Sequence, residues 1–273
     1  MAHDPKNNIY RCITTVAALA LLFCVALGAK PSHALEKLRV FRGYLILEGQ
    51  IEPGDYISLR NFLRNQSNFE KITGGVFLAS PGGRLNEALK IGYLIRELRL
   101  TTNAPASPLP ERRDLSGPPI LATDLVNPRH YQCASACFII YVAGVDRQLS
   151  RAGRLGIHRP RVQKKRDAAA DDREGATDDE VSIVSAGVRN SLKLYLGRMN
   201  VPPRYLELMY SVPPDQVRWL TQEEFDQDLK GYISGVDDLL REKCAPSSDR
   251  SGCVRRIRAE LSEEGWHKIF QQP

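Results

Sequence analysis

The chain is 273 residues long, 42% hydrophobic and 26% charged: enough apolar material for one substantial core, too little for a membrane bundle and too much for a disordered chain. Its formal charge of +6 is mild. No stretch interleaves basic residues with aromatics, which speaks against a nucleic-acid partner.

At the N-terminus, Lys6 and Arg11 precede a mostly apolar run from Cys12 to Ala29, and Ser32-His33-Ala34 offers small residues at both positions that a signal peptidase reads. Residues 1–34 are therefore read as a signal peptide. The alternative is an uncleaved anchor, because the run approaches the length that spans a bilayer. Either way the body lies outside the cytoplasm, in the periplasm or secreted, and a membrane is a partner only if the segment stays attached.

The body, residues 35–235, opens with a β-rich run from Val40 to Leu47, and Pro53-Gly54-Asp55 then ends the strand and starts a helix with Tyr56, Leu59, Phe62 and Leu63 on one face. A second apolar strand at 74–79 runs into Ser80-Pro81-Gly82-Gly83, followed by a helical pattern of Ala88, Ile91, Leu94, Ile95 and Leu98. A further short strand is expected near Leu100 to Ala104. Residues 105–130 contain six prolines and read as an irregular insertion. Cys133-Ala134-Ser135-Ala136-Cys137 then leads into an apolar run, 138–143, read as a buried helix, and Leu155-Gly156-Ile157-His158 reads as a strand end. Residues 161–180 form a charged, Ala-rich tract that should be solvated. A long helix is expected from about Val181 to Met199, and an acidic helix start at Gln222-Glu223-Glu224 follows Trp219-Leu220-Thr221. The tail, 236–273, is read as helical, with Cys253, Ile257 and Leu261 on one face. Alternation of strands and helices makes the body α/β.

Four cysteines remain after signal removal, in two close pairs, Cys133/Cys137 and Cys244/Cys253, and an even count in an oxidising compartment suggests disulfides. A zinc site competes poorly, because the pairs are over a hundred residues apart. No metal and no cofactor is expected. A redox-active pair, or Cys133 as nucleophile, is a further alternative. In a regular helix the Cβ atoms of residues four apart sit about 5–6 Å from each other, whereas a disulfide needs about 3.5–4.5 Å. A 133–137 bridge therefore requires Cys133 to lie outside the helix.

Acyl transfer needs a hydroxyl, an imidazole to take its proton, and N–H groups aimed at the developing oxyanion. Ser135 stands among small residues at a helix start, where free N–H groups point outward, and His158 ends an apolar run before Arg159-Pro160. Each has a plainer reading, a helix-capping serine and a structural histidine. Their joint order, strand–SPGG–helix, then CASAC, then GIHRP, resembles the Clp protease proteolytic subunit and the wider crotonase-like superfamily, more closely an exported, Clp-protease-like group with a cysteine on each side of the serine.

The resemblance covers roughly residues 40–235 and implies an α/β fold of repeated strand–strand–helix (ββα) units, here with a helical C-terminal extension. It implies Ser135 as nucleophile, His158 as base, and an oxyanion site built on the Gly82-Gly83 turn, with N–H groups from Gly83 and Ala136. It also implies a peptide or protein substrate and a homo-oligomer. The chain departs from the family pattern in Tyr131-Gln132-Cys133 before the serine and in the proline-rich insertion. The position of the family's orienting acid falls on Val217; Asp215, two residues earlier, is the expected third member, with Asp226 and Asp228, or a dyad with a main-chain or solvent partner, as alternatives.

Two functions follow: an exported serine hydrolase of the peptidase kind, acting without an ATPase motif of its own, or a catalytically inactive binding or assembly module that keeps the same shell. Acyl-thioester chemistry is a third, weaker reading.

Overall fold

The computed structural model describes residues 38–104, 132–149, 153–161, 178–230 and 234–271. The signal segment, the proline-rich insertion and most of the charged tract lie outside these residues.

The first run, expected as one strand, is a hairpin of β1 (Arg39–Phe41) and β2 (Tyr44–Glu48). Arg42 and Gly43 between them have φ of 49° and 83°. Two consecutive positive φ values make the tight turn that matches strand twist. Helices α1 (Asp55–Arg64) and α2 (Gln66–Phe69) follow, then β3 (Gly75–Ala79), α3 (Leu85–Glu97) and β4 (Thr102–Ala104). A two-residue strand β5 (Cys133–Ala134) leads into α4 (Ala136–Tyr141), and β6 (Arg147–Leu149) and β7 (Leu155–Ile157) come next. Beyond them lie α5 (Asp178–Arg198), α6 (Arg204–Ser211), β8 (Arg218–Trp219), α7 (Gln222–Glu224), a π-turn over Phe225–Leu229, α8 (Ser234–Cys244) and α9 (Arg250–Phe270).

The larger sheet has the order β1-β2-β3-β4-β6, parallel except for β1, and the smaller one the order β5-β7-β8. This is the mixed α/β class expected from the alternation of strands and helices. Every residue of β3 is buried, as both faces of a parallel sheet require. Leu45, Leu47, Val76 and Leu78 point to the main core with α3 and α4, while Ile46, Phe77 and Ala79 form a small cluster on the opposite face. Strand β6 was not legible in the sequence, since Arg147-Gln148-Leu149 carries no apolar alternation. It pairs with β4 in register Thr102 to Arg147.

Helix α1 starts without a side-chain cap of its own. Glu87 of α3 supplies one from a distance, its carboxylate accepting from the N–H groups of Gly54 (3.2 Å) and Tyr56 (3.0 Å). At the other end of the chain, Cys244 and Cys253 are bridged, with Cα atoms 5.7 Å apart, and form a separate cluster with Leu240 and Ile257. The rest of α9 joins the main core: Trp266 is buried, stacks on Phe69, and donates its indole N–H to the Leu63 carbonyl at 2.7 Å.

Candidate active site

The end of β3 and the start of β5 meet where the two sheets join. Ser80 donates its N–H to the Gln132 carbonyl (2.7 Å), and its own carbonyl accepts from the Ala134 N–H (3.1 Å). The Ser80 hydroxyl turns back to accept from the Gly82 N–H at 3.0 Å. A short-range hydroxyl-to-backbone bond of this kind sets a tight turn. Ser80, whose individual role the sequence did not single out, thus ties the Ser-Pro-Gly-Gly turn to the strand that delivers Ser135.

On the other side the turn is fastened to Ile51. The Ile51 N–H donates to the Gly82 carbonyl (2.8 Å) and the Ile51 carbonyl accepts from Arg84 (2.8 Å). In a parallel bridge of this kind the intervening residue, Gly83, directs its own N–H away from Ile51. Gly82 and Gly83 have φ of 110° and 143°, which other residues adopt only under strain.

Ser135 is the elbow between β5 and α4. Its N–H donates to the Gly156 carbonyl of β7 (2.8 Å), and its carbonyl accepts from Phe138 in α4 (3.0 Å). Its φ is 57° and its ψ −121°. Every residue from 133 to 145 is buried except Ser135, which is half-exposed. Local geometry therefore presents one hydroxyl from an otherwise closed segment. Ala136 is the first residue of α4, so its N–H has no acceptor within the helix. Among the described residues, neither the Gly83 nor the Ala136 N–H has a protein acceptor.

The ring of His158 lies one residue beyond β7, half-exposed, and its Nδ1 is 2.9 Å from the carbonyl oxygen of Arg159. A carbonyl can only accept, so Nδ1 is the donor, and in the neutral ring Nε2 holds the lone pair. Strand pairing brings the two chemistry-bearing segments side by side, since β5 pairs with β7 in register Ala134 to Gly156.

The acids fall elsewhere. Asp215 sits exposed in the turn that closes with Gln216 N–H to Pro213 carbonyl (3.1 Å), and makes no hydrogen bond to His158. Asp228 is engaged by Arg204 and by the Tyr205 hydroxyl, and Asp226 by Gln222. The β7–β8 register pairs Gly156 with Trp219 and Ile157 with Arg218 and ends there, because the Arg159 N–H turns to the Val212 carbonyl (3.0 Å); Val217 lies just before β8.

The flanking cysteines are bridged, with Cys133 in β5, Cys137 in α4 and Cα atoms 5.1 Å apart. Cys133 thus lies outside the helix, as the bridge demands. Two disulfides fit an oxidising, non-cytoplasmic setting. Among the described residues no cluster of three His, Cys, Asp or Glu side chains could hold a metal, and no helix is long and apolar enough to cross a membrane.

No family model matches the chain, and no curated protein matches it either. Among solved structures, a mutant of the 1510-N membrane-bound stomatin-specific protease is similar over 74% of this chain and 83% of its own, with 14% sequence identity and a TM-score of 0.42.

Proposed function

We propose that the chain is an exported serine hydrolase of the peptidase kind, in which Ser135 attacks a carbonyl, His158 takes its proton, and the N–H groups of Gly83 and Ala136 hold the oxyanion. The observation that supports this most is the Ser135 elbow: a half-exposed hydroxyl at positive φ, opening a helix and pressed against a glycine turn whose next N–H has no protein acceptor among the described residues. Positioned donors of that kind supply the largest single contribution to acyl-transfer catalysis.

In this reading the orienting partner of the imidazole is the Arg159 carbonyl, with no part for Asp215. It selects the tautomer that leaves Nε2 as the base. A neutral carbonyl stabilises the imidazolium less than a carboxylate would, so turnover is slow compared with a complete triad. His158 hands the proton taken from Ser135 to the leaving amine as the scissile bond breaks; it then takes a proton from water, which displaces the acyl group as a carboxylic acid, and returns it to the Ser135 oxygen. Export rests on the N-terminal segment and the two disulfides, and a homo-oligomer on the family resemblance.

The test is labelling of the mature protein with a fluorophosphonate probe. Labelling of the natural chain and none of Ser135→Ala is the expected result. Equal labelling of both sinks the reading. One observation favours the second reading, a non-catalytic binding module: no carboxylate reaches the His158 ring among the described residues. Inertness of the natural chain to the probe would establish that alternative.

A further inference from the structure

The backbone of Ser135, at φ 57° and ψ −121°, occupies a region that glycine visits freely and other residues only when their surroundings force them. The hydrogen bonds from Ser135 to Gly156 and from Phe138 to Ser135 hold its two ends. What spans the elbow covalently is the Cys133–Cys137 bridge, with the strained residue midway between its anchors. Both cysteines are fully buried. A bridge across so few residues removes little conformational freedom from the unfolded chain, so its action is local. The Cys244–Cys253 bridge belongs to a different cluster, between α8 and α9.

We propose that the Cys133–Cys137 disulfide is a positioning device for Ser135, which reaches its nucleophilic geometry only in the oxidised protein. This rests on the hydrolase reading above. With two free thiols, the first turn of α4 is released and Ser135 relaxes toward an ordinary backbone conformation, carrying its hydroxyl and the Ala136 N–H away from the Gly82-Gly83 turn. The chain then reacts about tenfold or more slowly until a protein disulfide, acting as oxidant, takes two electrons and two protons from the thiols and is itself reduced to a dithiol. A hydrolase made in a reducing compartment is held back there.

One tryptic peptide, residues 130–147, carries Cys133, Ser135 and Cys137 together. The full chain is treated with graded dithiothreitol, which closes to its cyclic disulfide as it passes two electrons and two protons to a bridge. A short fluorophosphonate pulse, thiol alkylation and mass spectrometry of this peptide then report the bridge state and the Ser135 adduct in the same molecules. Circular dichroism follows folding. The expected result is labelling slower by about tenfold or more in bridge-open molecules that remain folded, the effect of about one unit of strain-sized free energy. Equal rates in open and closed molecules would overturn the proposal.

Because the bridge is buried, C133S with C137S is compared with C244S with C253S. Per folded molecule, the first pair should label about tenfold slower with an unshifted pH profile, and the second at the natural rate. A natural rate in the first pair also overturns the proposal. Absence of any adduct in either bridge state would bring down the hydrolase reading itself, and this inference with it.

Discussion

A methyl group placed on Gly82 would lie 2.6 Å from the Cβ of Ser135 and 2.8 Å from the Ala134 carbonyl oxygen. Neither neighbour can retreat easily, since both belong to the backbone junction of β5 and β7. Gly82→Ala should therefore displace the serine or the turn that carries the Gly83 N–H. The expected loss in probe labelling is about 10²-fold, the order associated with removing one oxyanion donor. Far-UV circular dichroism should be unchanged. A variant that labels at the natural rate would separate the turn from the chemistry.

His158 and Val217 are the residues next beyond the last β7–β8 pair, Ile157 with Arg218, and the Val217 side chain leans over Gly156, where an added Cβ would meet its Cγ1 at 2.6 Å. Val217 is 40% exposed, so a carboxylate there would remain solvated. Val217→Asp should raise turnover by about tenfold, a fraction of the roughly 10⁴ that a triad acid can supply. Asp215→Asn should change it less than about twofold. A steep loss in Asp215→Asn, measured on the same ester or peptide substrate, would reinstate Asp215 as the third member.

Glu87 links α3 to the start of α1. Burial alone would raise its pKa, but the N–H groups of Tyr56 and Gly54 and the Lys90 ammonium outweigh that and hold the carboxyl below its ordinary value of 4.5. A depressed folded value means that the contribution is complete above the ordinary carboxyl range and is lost as pH falls through the lower folded value. Glu87→Gln should thus cost about 0.5–1 kcal/mol near neutral pH. The gap to the natural chain should close in denaturant melts as pH falls below the ordinary carboxyl range. A gap that persists unchanged at low pH would show that shape, and not charge, is what the helix start uses.

Trp266 secures the C-terminal helix to the body, 5% exposed and bonded to the Leu63 carbonyl. Close approach of α9 to the end of α3 is visible at Gly265, where an added Cβ would meet the Glu97 carbonyl at 2.5 Å. Trp266→Ala should lower unfolding stability by about 3–5 kcal/mol. Urea titration measures this, and a loss under about 1 kcal/mol would mean that the tail is an appendage.

Period and composition by themselves determined the order of the elements: the apolar stretches of β2 and β3, the one-sided pattern of α3, and the turn at Ser80-Pro81-Gly82-Gly83 were legible because each depends on neighbours in the chain. So was the requirement that Cys133 leave the helix, which follows from bond lengths. Tertiary structure alone decided what depends on pairing between distant segments. The hairpin at Arg42-Gly43 turns on two left-handed residues, one of which is not glycine. β6 exists only because β4 offers it a free edge. The partner of the His158 ring is the Arg159 carbonyl, and every residue carries a carbonyl, so no residue type announces it. That Asp215 faces solvent while Val217 leans over Gly156 of β7 is a matter of strand pairing, which a single sequence records only after its partner strand is known.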